Sequence, residues 1–159
     1  MTPEQLVELN ETVRADVTDV AARGVEALRS VTTDLTLEEE TIGVGLNWSG
    51  CAYDFEQEGN PPTEVNWTYL SSFVVEGTDD LRDRTEQAAE AFIQGNREEW
   101  AVTSDSANDE HRRLRISRPG TSLVYSATLH PDLVVMTVEA ISSCTPVPVD
   151  TRERWPQWS

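Results

Sequence analysis

The sequence predicts an α+β fold, an antiparallel meander sheet of five or six strands with two helices packed on one face. Three observations predict it. Two segments repeat apolar residues at steps of three and four, several others alternate every second residue, and short turns join the alternating segments into antiparallel neighbours. At 159 residues the chain suits one domain with a single core. Its predicted bounds are residues 3–146, with an irregular tail containing proline and tryptophan over 147–159.

The first helix opens at Thr2, which caps it. Pro3 fits the first helical position, and Gln5 completes a Thr-x-x-Gln capping box. Leu6, Leu9, Val13, Val17, Val20, Ala21, Val25 and Leu28 then form one apolar stripe ending near Ser30. Gly24 reads as a soft point in that helix, costing about 1 kcal/mol against Ala. Residues 31–45 read as a linker entering a strand. From Leu46 the period becomes two, with Cys51, Tyr53 and Phe55 on one face and Ala52, Asp54 and Glu56 on the other. The stretch EGNPP at 58–62 predicts a turn, and Val65, Trp67, Tyr69, Phe73 and Val75 mark the returning strand of a hairpin.

The second helix is capped by Thr78 or Asp79 and stopped by Gly95-Asn96. Leu81, Ala88, Ala89, Phe92 and Ile93 make its apolar side. A short strand follows around Trp100 to Thr103, and SDSANDE reads as a polar loop. Leu114 and Ile116 alternate inside an arginine-rich strand, RPGTS turns the chain, and Leu123, Tyr125, Ala127 and Leu129 form the next strand. After the HPD turn, Val134, Met136, Val138 and Ala140 form the last. The prolines of TPVPVDTRERWPQWS predict no regular structure beyond it.

The two cysteines are Cys51 and Cys144. Counting in twos from Val134 through Ser142 reaches Cys144, so both cysteines fall on the predicted core side of their strands. Neighbouring strands could then bring the Cα atoms within the roughly 4.4–6.8 Å that a disulfide requires. Such a bridge closes a loop of about 90 residues, for which chain entropy gives about 4–5 kcal/mol at most. It also implies an oxidising compartment. The alternative is two buried free thiols, since cysteine is among the most buried residue types.

The charge is lopsided, with 29 acidic against 12 basic side chains and a formal net charge of −17. Every base is arginine. Such a surface repels phosphate backbones and anionic head groups, which argues against nucleic-acid and bare-membrane binding and favours a basic partner. No run of about 18 apolar residues could span a bilayer. MTPEQLVELN reads as a helix start and not as a signal peptide, so either the protein stays in the cytosol or a leader has been removed.

Little in the sequence points to chemistry, and neither catalytic nor metal-ligating residues nor a cofactor are assigned. His111 and His130 sit at a strand start and in a turn with no nucleophile in a known arrangement. Asp54, Glu56 and Glu58 resemble the opening of a calcium loop, but the position of its bidentate glutamate falls on Val65. The acidic runs read as solvated faces or first helical turns. Phosphate-cradling, nucleophile-elbow and zinc-protease motifs are absent. Asn-x-Ser/Thr triplets begin at Asn10, Asn47 and Asn66, and tryptophan inside two of them reads as strand packing, not glycan attachment. Trp67 and Trp100 fit core faces. Trp48, on the face opposite Cys51 unless a bulge at Gly50 flips the register, and the tail residues Trp155 and Trp158 are the candidate partner contacts.

The capped first helix, the Trp-Ser-Gly-Cys strand, REEWAV after the acidic helix, the strand GTSLVYSATL and the ending SSCTP together carry a resemblance. Over residues 5–146 the chain resembles the small extracellular domains of actinobacterial lipoproteins and secreted proteins. The resemblance implies an α+β fold, a cysteine near the end of the final strand and a cell-envelope address, with room for a lipid anchor on the precursor. It supplies no activity. The function expected from the sequence is thus a non-enzymatic, extracytoplasmic domain that binds a protein or small ligand. The alternative is a cytosolic acidic protein of the immunity or inhibitor type that masks a basic partner.

Overall fold

A computed structural model describes residues 1–51, 63–76, 80–96 and 99–148, apart from the side chains of Leu81 and Arg82. The predicted turn at 58–62, the strand continuation over 52–56, Thr78, Asp79, Trp155 and Trp158 lie outside the described residues.

Helix α1 spans Pro3–Ser30 and starts as its residues dictate: Thr2 Oγ1 accepts from the Gln5 amide, and the Gln5 side chain accepts from the Thr2 amide. Helix α2 spans Leu81–Gly95, with Asp80 at its N-cap and Asn96 at its C-cap. Among the described residues there are eight strands: β1 (Glu38–Glu39), β2 (Gly45–Gly50), β3 (Glu64–Glu76), β4 (Ala101–Ala107), β5 (His111–Arg118), β6 (Thr121–Leu129), β7 (Leu133–Ser142) and β8 (Thr145–Pro146). Six match the sequence pattern. The two extra, β1 and β8, are two residues each, too short to show a period. The polar stretch after Thr103 is strand too, because pairing of β4 with β5 continues to Ala107 across an irregularity between Val102 and Ser104.

Every pairing is antiparallel, and the order is β1-β3-β7-β6-β5-β4, with β2 and β8 also on β3. Strands β4 to β7 are a meander, whose β5–β6 turn uses Gly120 at φ +86°. Helix α2 carries the chain from β3, near one edge, to β4 at the other. Both helices cover one face, α1 over β3 and β7, α2 over β5 and β6.

The alternation of the strands meets the helical stripes in this layer. Trp67, Phe73, Val75, Ile116, Leu123, Tyr125, Met136 and Val138 are buried beneath Val17, Val20, Ala21 and Leu28 of α1 and Ala88, Ala89 and Phe92 of α2. Each such Val, Leu or Phe contributes about 1.5–3 kcal/mol by leaving water. Phe92 and Trp100 meet edge to face at 4.9 Å. At the exposed end of the layer, Arg84 binds Asp34, Asp80 and the Val31 carbonyl, tying the linker after α1 to α2. The hydrogen bond from Arg84 holds the Asp34 carboxyl down at about 2.

Gly24 has a different role from the soft point its helix position predicts. It is buried where α1 crosses the sheet, its carbonyl accepts from the Tyr125 hydroxyl at 2.8 Å, and a Cβ there would stand 2.9 Å from Val138 Cγ1 and 3.0 Å from Leu123. Close approach of backbone to sheet outweighs helix propensity. Gly24→Ala is therefore expected to lose stability despite a propensity gain of about 1 kcal/mol, and Gly24→Leu to lose about 1–3 kcal/mol or more through overpacking. Urea unfolding of both variants checks this; a Gly24→Leu midpoint at or above that of the parent would contradict it.

Candidate functional site

Cys51 follows the last residue of β2, and Cys144 lies in the two-residue link between β7 and β8. They form a disulfide with Cα atoms 6.1 Å apart and a sequence separation of 93. β2 and β8 flank β3 on opposite sides, and both Gly50 and Thr145 pair with Val65. The bridge therefore joins the two neighbours of β3 across β3 itself.

Its face is not the one that counting in twos predicts. Trp48 pairs with Trp67, so the core-side positions of β2 are Leu46 and Trp48, and Cys51 is out of phase with them. On the other arm β7 ends at Ser142, and the alternation stops before it reaches Cys144, which is exposed. Below the bridge is Asn66, on the face of β3 opposite Trp67. Its Oδ1 lies 3.0 Å from Cys51 Sγ and 3.9 Å from Cys144 Sγ, contacts in which neither bonded sulfur has a proton to give, while its Nδ2 donates to the Ser142 carbonyl at 2.8 Å.

On the helix side of the same stretch, Asn10 is fully buried. Its Oδ1 accepts from the Trp67 indole at 2.8 Å, and its Nδ2 donates to the carbonyls of Leu6 at 2.7 Å and Pro146 at 2.9 Å. Val147, past β8, is buried, and its amide donates to the Thr63 carbonyl at 3.0 Å. The prolines of this stretch thus leave room for a short strand that the sequence does not announce.

The bridge borders the sheet face that carries no helix. Two cross-strand rows run over it: Ser72, Thr137, Ser126, Arg113, Ser106, and Leu70, Glu139, Val124, Arg115, Ser104. Ser126 and Thr137 are hydrogen-bonded. Val124, between Glu139 and Arg115, is only 3% exposed. Burial raises the Glu139 carboxyl above its ordinary range, against the pull of Arg113 and Arg115. Leu70, Val74, Val135 and Ile141 give this face more apolar surface than solvation alone calls for.

Of the predicted partner contacts, Trp48 is half-buried and packs against the core beside Trp67. The histidines stand apart: His111 Nδ1 is 2.9 Å from Thr128 Oγ1 in the sheet, and His130 is exposed in its turn. Among the described residues no group of three or more His, Cys, Asp or Glu converges as a metal site would require. No described helix is long and apolar enough to cross a membrane. Of the glycosylation triplets, Asn10 is fully buried and only Asn47 is exposed. The residues that sequence reasoning leaves aside are Arg113 and Arg115. Their signal is the alternation in HRRLRIS, where Leu114 and Ile116 take the core and send the two arginines to the open face.

No protein-family model matches the chain, and no curated protein matches it. Among solved structures it is similar to the crystal structure of the candidate lipoprotein LppA from Mycobacterium tuberculosis. The identity is 12% and the TM-score 0.43, over 91% of this chain and 87% of that one.

The state of Glu139 sets a pH test. Its folded pKa is raised, so the folded chain holds that proton more tightly than the unfolded chain, and stability is lost as pH rises through the folded value. Glu139→Gln removes this loss. Relative to the parent, the variant is expected to be more stable at pH 7 than at pH 4, measured by urea midpoints. A variant that loses ground as pH rises would show that the two arginines outweigh burial.

Proposed function

We propose that this chain is an extracytoplasmic domain that acts by binding a protein or ligand, with no bond-making step of its own. The observation that carries the address is the Cys51–Cys144 disulfide, which joins strands on either side of β3 and leaves no free cysteine in the chain. Disulfides of this structural kind persist in oxidising compartments and are rare in the cytosol. Binding is supported by the open sheet face, broad and partly apolar, with arginine and serine standing on it.

A cytosolic acidic protein that covers a basic partner is the second reading. It is favoured by the helices, whose outer positions are acidic: Glu4, Glu8, Glu11, Asp19 and Glu26 on α1 and Glu86 and Glu90 on α2 are exposed. The bridge argues against it.

Thiol counting separates the two. Protein taken from its native source, trapped with an alkylating agent and unfolded without reductant, is expected to show no free thiol, and two after reduction. Two alkylated cysteines in the unreduced sample would remove the extracytoplasmic address and leave the acidic cytosolic reading.

A further inference from the structure

Eight arginines have described side chains, and six are engaged. Arg23, Arg29, Arg84, Arg112 and Arg118 each hold a carboxylate, and Arg14 lies 5.1 Å over the Trp67 ring. Arg113 and Arg115 do neither among the described residues, although the chain carries acid in large excess. Both point to the open face from alternate positions of β5. Serines flank them in register, Ser106 and Ser126 beside Arg113, Ser104 beside Arg115. Glu139 is the nearest acid across the rows, two strands from Arg115 with Val124 between, so it offsets at most one of the two charges.

Alternate residues of an extended chain are about 6.6–7 Å apart. An extended segment with acids at every second position therefore repeats its carboxylates at the interval at which β5 repeats its guanidinium groups. Arginine suits this role because its planar fork receives a carboxylate through two parallel hydrogen bonds. A long polyanion is excluded by the same molecule, since a net charge of −17 repels nucleic acid and anionic membrane beyond contact range. A short acidic segment meets only the local field.

From this geometry we propose that the open sheet face around Arg113 and Arg115 docks an extended acidic segment of a partner protein, its carboxylates on the two arginines. The proposal rests on the binding role put forward above and names the partner's chemistry. It also gives the molecule two sides of opposite preference, an acidic helical layer and a sheet face locally basic.

The test uses the full oxidised chain, isotope-labelled, and two short synthetic peptides, one with glutamate at alternate positions and serine between, the other with lysine in place of glutamate. The glutamate peptide is expected to shift backbone amide signals of β5 and β6 around Arg113, Arg115 and Val124. Its affinity should fall about tenfold or more in Arg113→Gln/Arg115→Gln and weaken on going from low to physiological salt. Retained amide dispersion in the variant keeps a folding defect from passing as lost binding. Equal affinity for parent and variant, or shifts confined to other surfaces, would overturn the proposal. Binding of the lysine peptide alone, to the helical face, would also overturn it while leaving a binding role in place. Should neither peptide bind, the acidic-segment proposal fails, and the thiol count decides the address independently.

Discussion

Between Val65 and Trp67, strand β3 is fixed from three directions. In the plane of the sheet it is paired on one side with β2 and on the other with β8. From the helix layer, Asn10 ties its indole to the Pro146 carbonyl, so that α1, β3 and β8 share one buried amide. From the open face the disulfide closes over Asn66, which itself reaches the Ser142 carbonyl. β8 has only two residues, and two backbone pairings are weak against the entropy of releasing it, about 1–2 kcal/mol per residue. The covalent bond and the buried amide supply what the ladder lacks. The nine paired positions from Thr68 to Glu76 hold β7 on β3 by themselves, and the clasp secures the ends of β2 and β8 to that same strand.

The two faces of the sheet then diverge. One is dry, filled by tryptophan, tyrosine and aliphatic side chains under two helices, close enough that Gly24 is required where α1 crosses Val138 and Leu123. The other carries hydroxyl, guanidinium and carboxylate groups among scattered aliphatics. Several of the described arginines serve the fold by pinning helices, strands and linkers: Arg118 to Asp16, Arg112 to Glu86 and Asp105, Arg84 to Asp34 and Asp80. The guanidinium groups are largely covered while their carboxylates stand in water, where screening limits what each pair adds to stability. Among the described residues, much exposed acid stands on the helices, and two arginines without an ion pair stand on the open sheet face.

Much of this was legible in the sequence wherever a local signal exists. Thr2 and Gln5 announce the start of α1, the stripe from Val17 to Leu28 announces its buried side, and the alternation in β3, β6 and β7 places Trp67, Tyr125 and Met136 in the core. Cys51 and Cys144 are partners as the sequence suggests, but the strand counting that suggests it puts both on the core side, where neither lies. Phase is lost where a strand ends: β7 stops at Ser142, and the register of β2 follows Trp48 against Trp67. Gly24 misled for a related reason, since propensity is local and the approach of α1 to Val138 is tertiary. β1 and β8 have no periodic signal in two residues each, and β8 exists only because β3 offers it a partner. Arg113 and Arg115 were visible as an arginine-rich strand, yet what sets them apart, that neither forms an ion pair among the described residues, is a property of the assembled sheet.

Native-state hydrogen exchange of the oxidised and the reduced chain tests the clasp most directly. If the Cys51–Cys144 bond holds the edge of the sheet, reduction accelerates exchange first at the amides of Cys51, Trp67 and Val147, while those of Leu114 to Ile116 and Leu123 to Tyr125 keep their protection. Exchange that is unchanged by reduction, or that rises uniformly across both groups, would contradict the account.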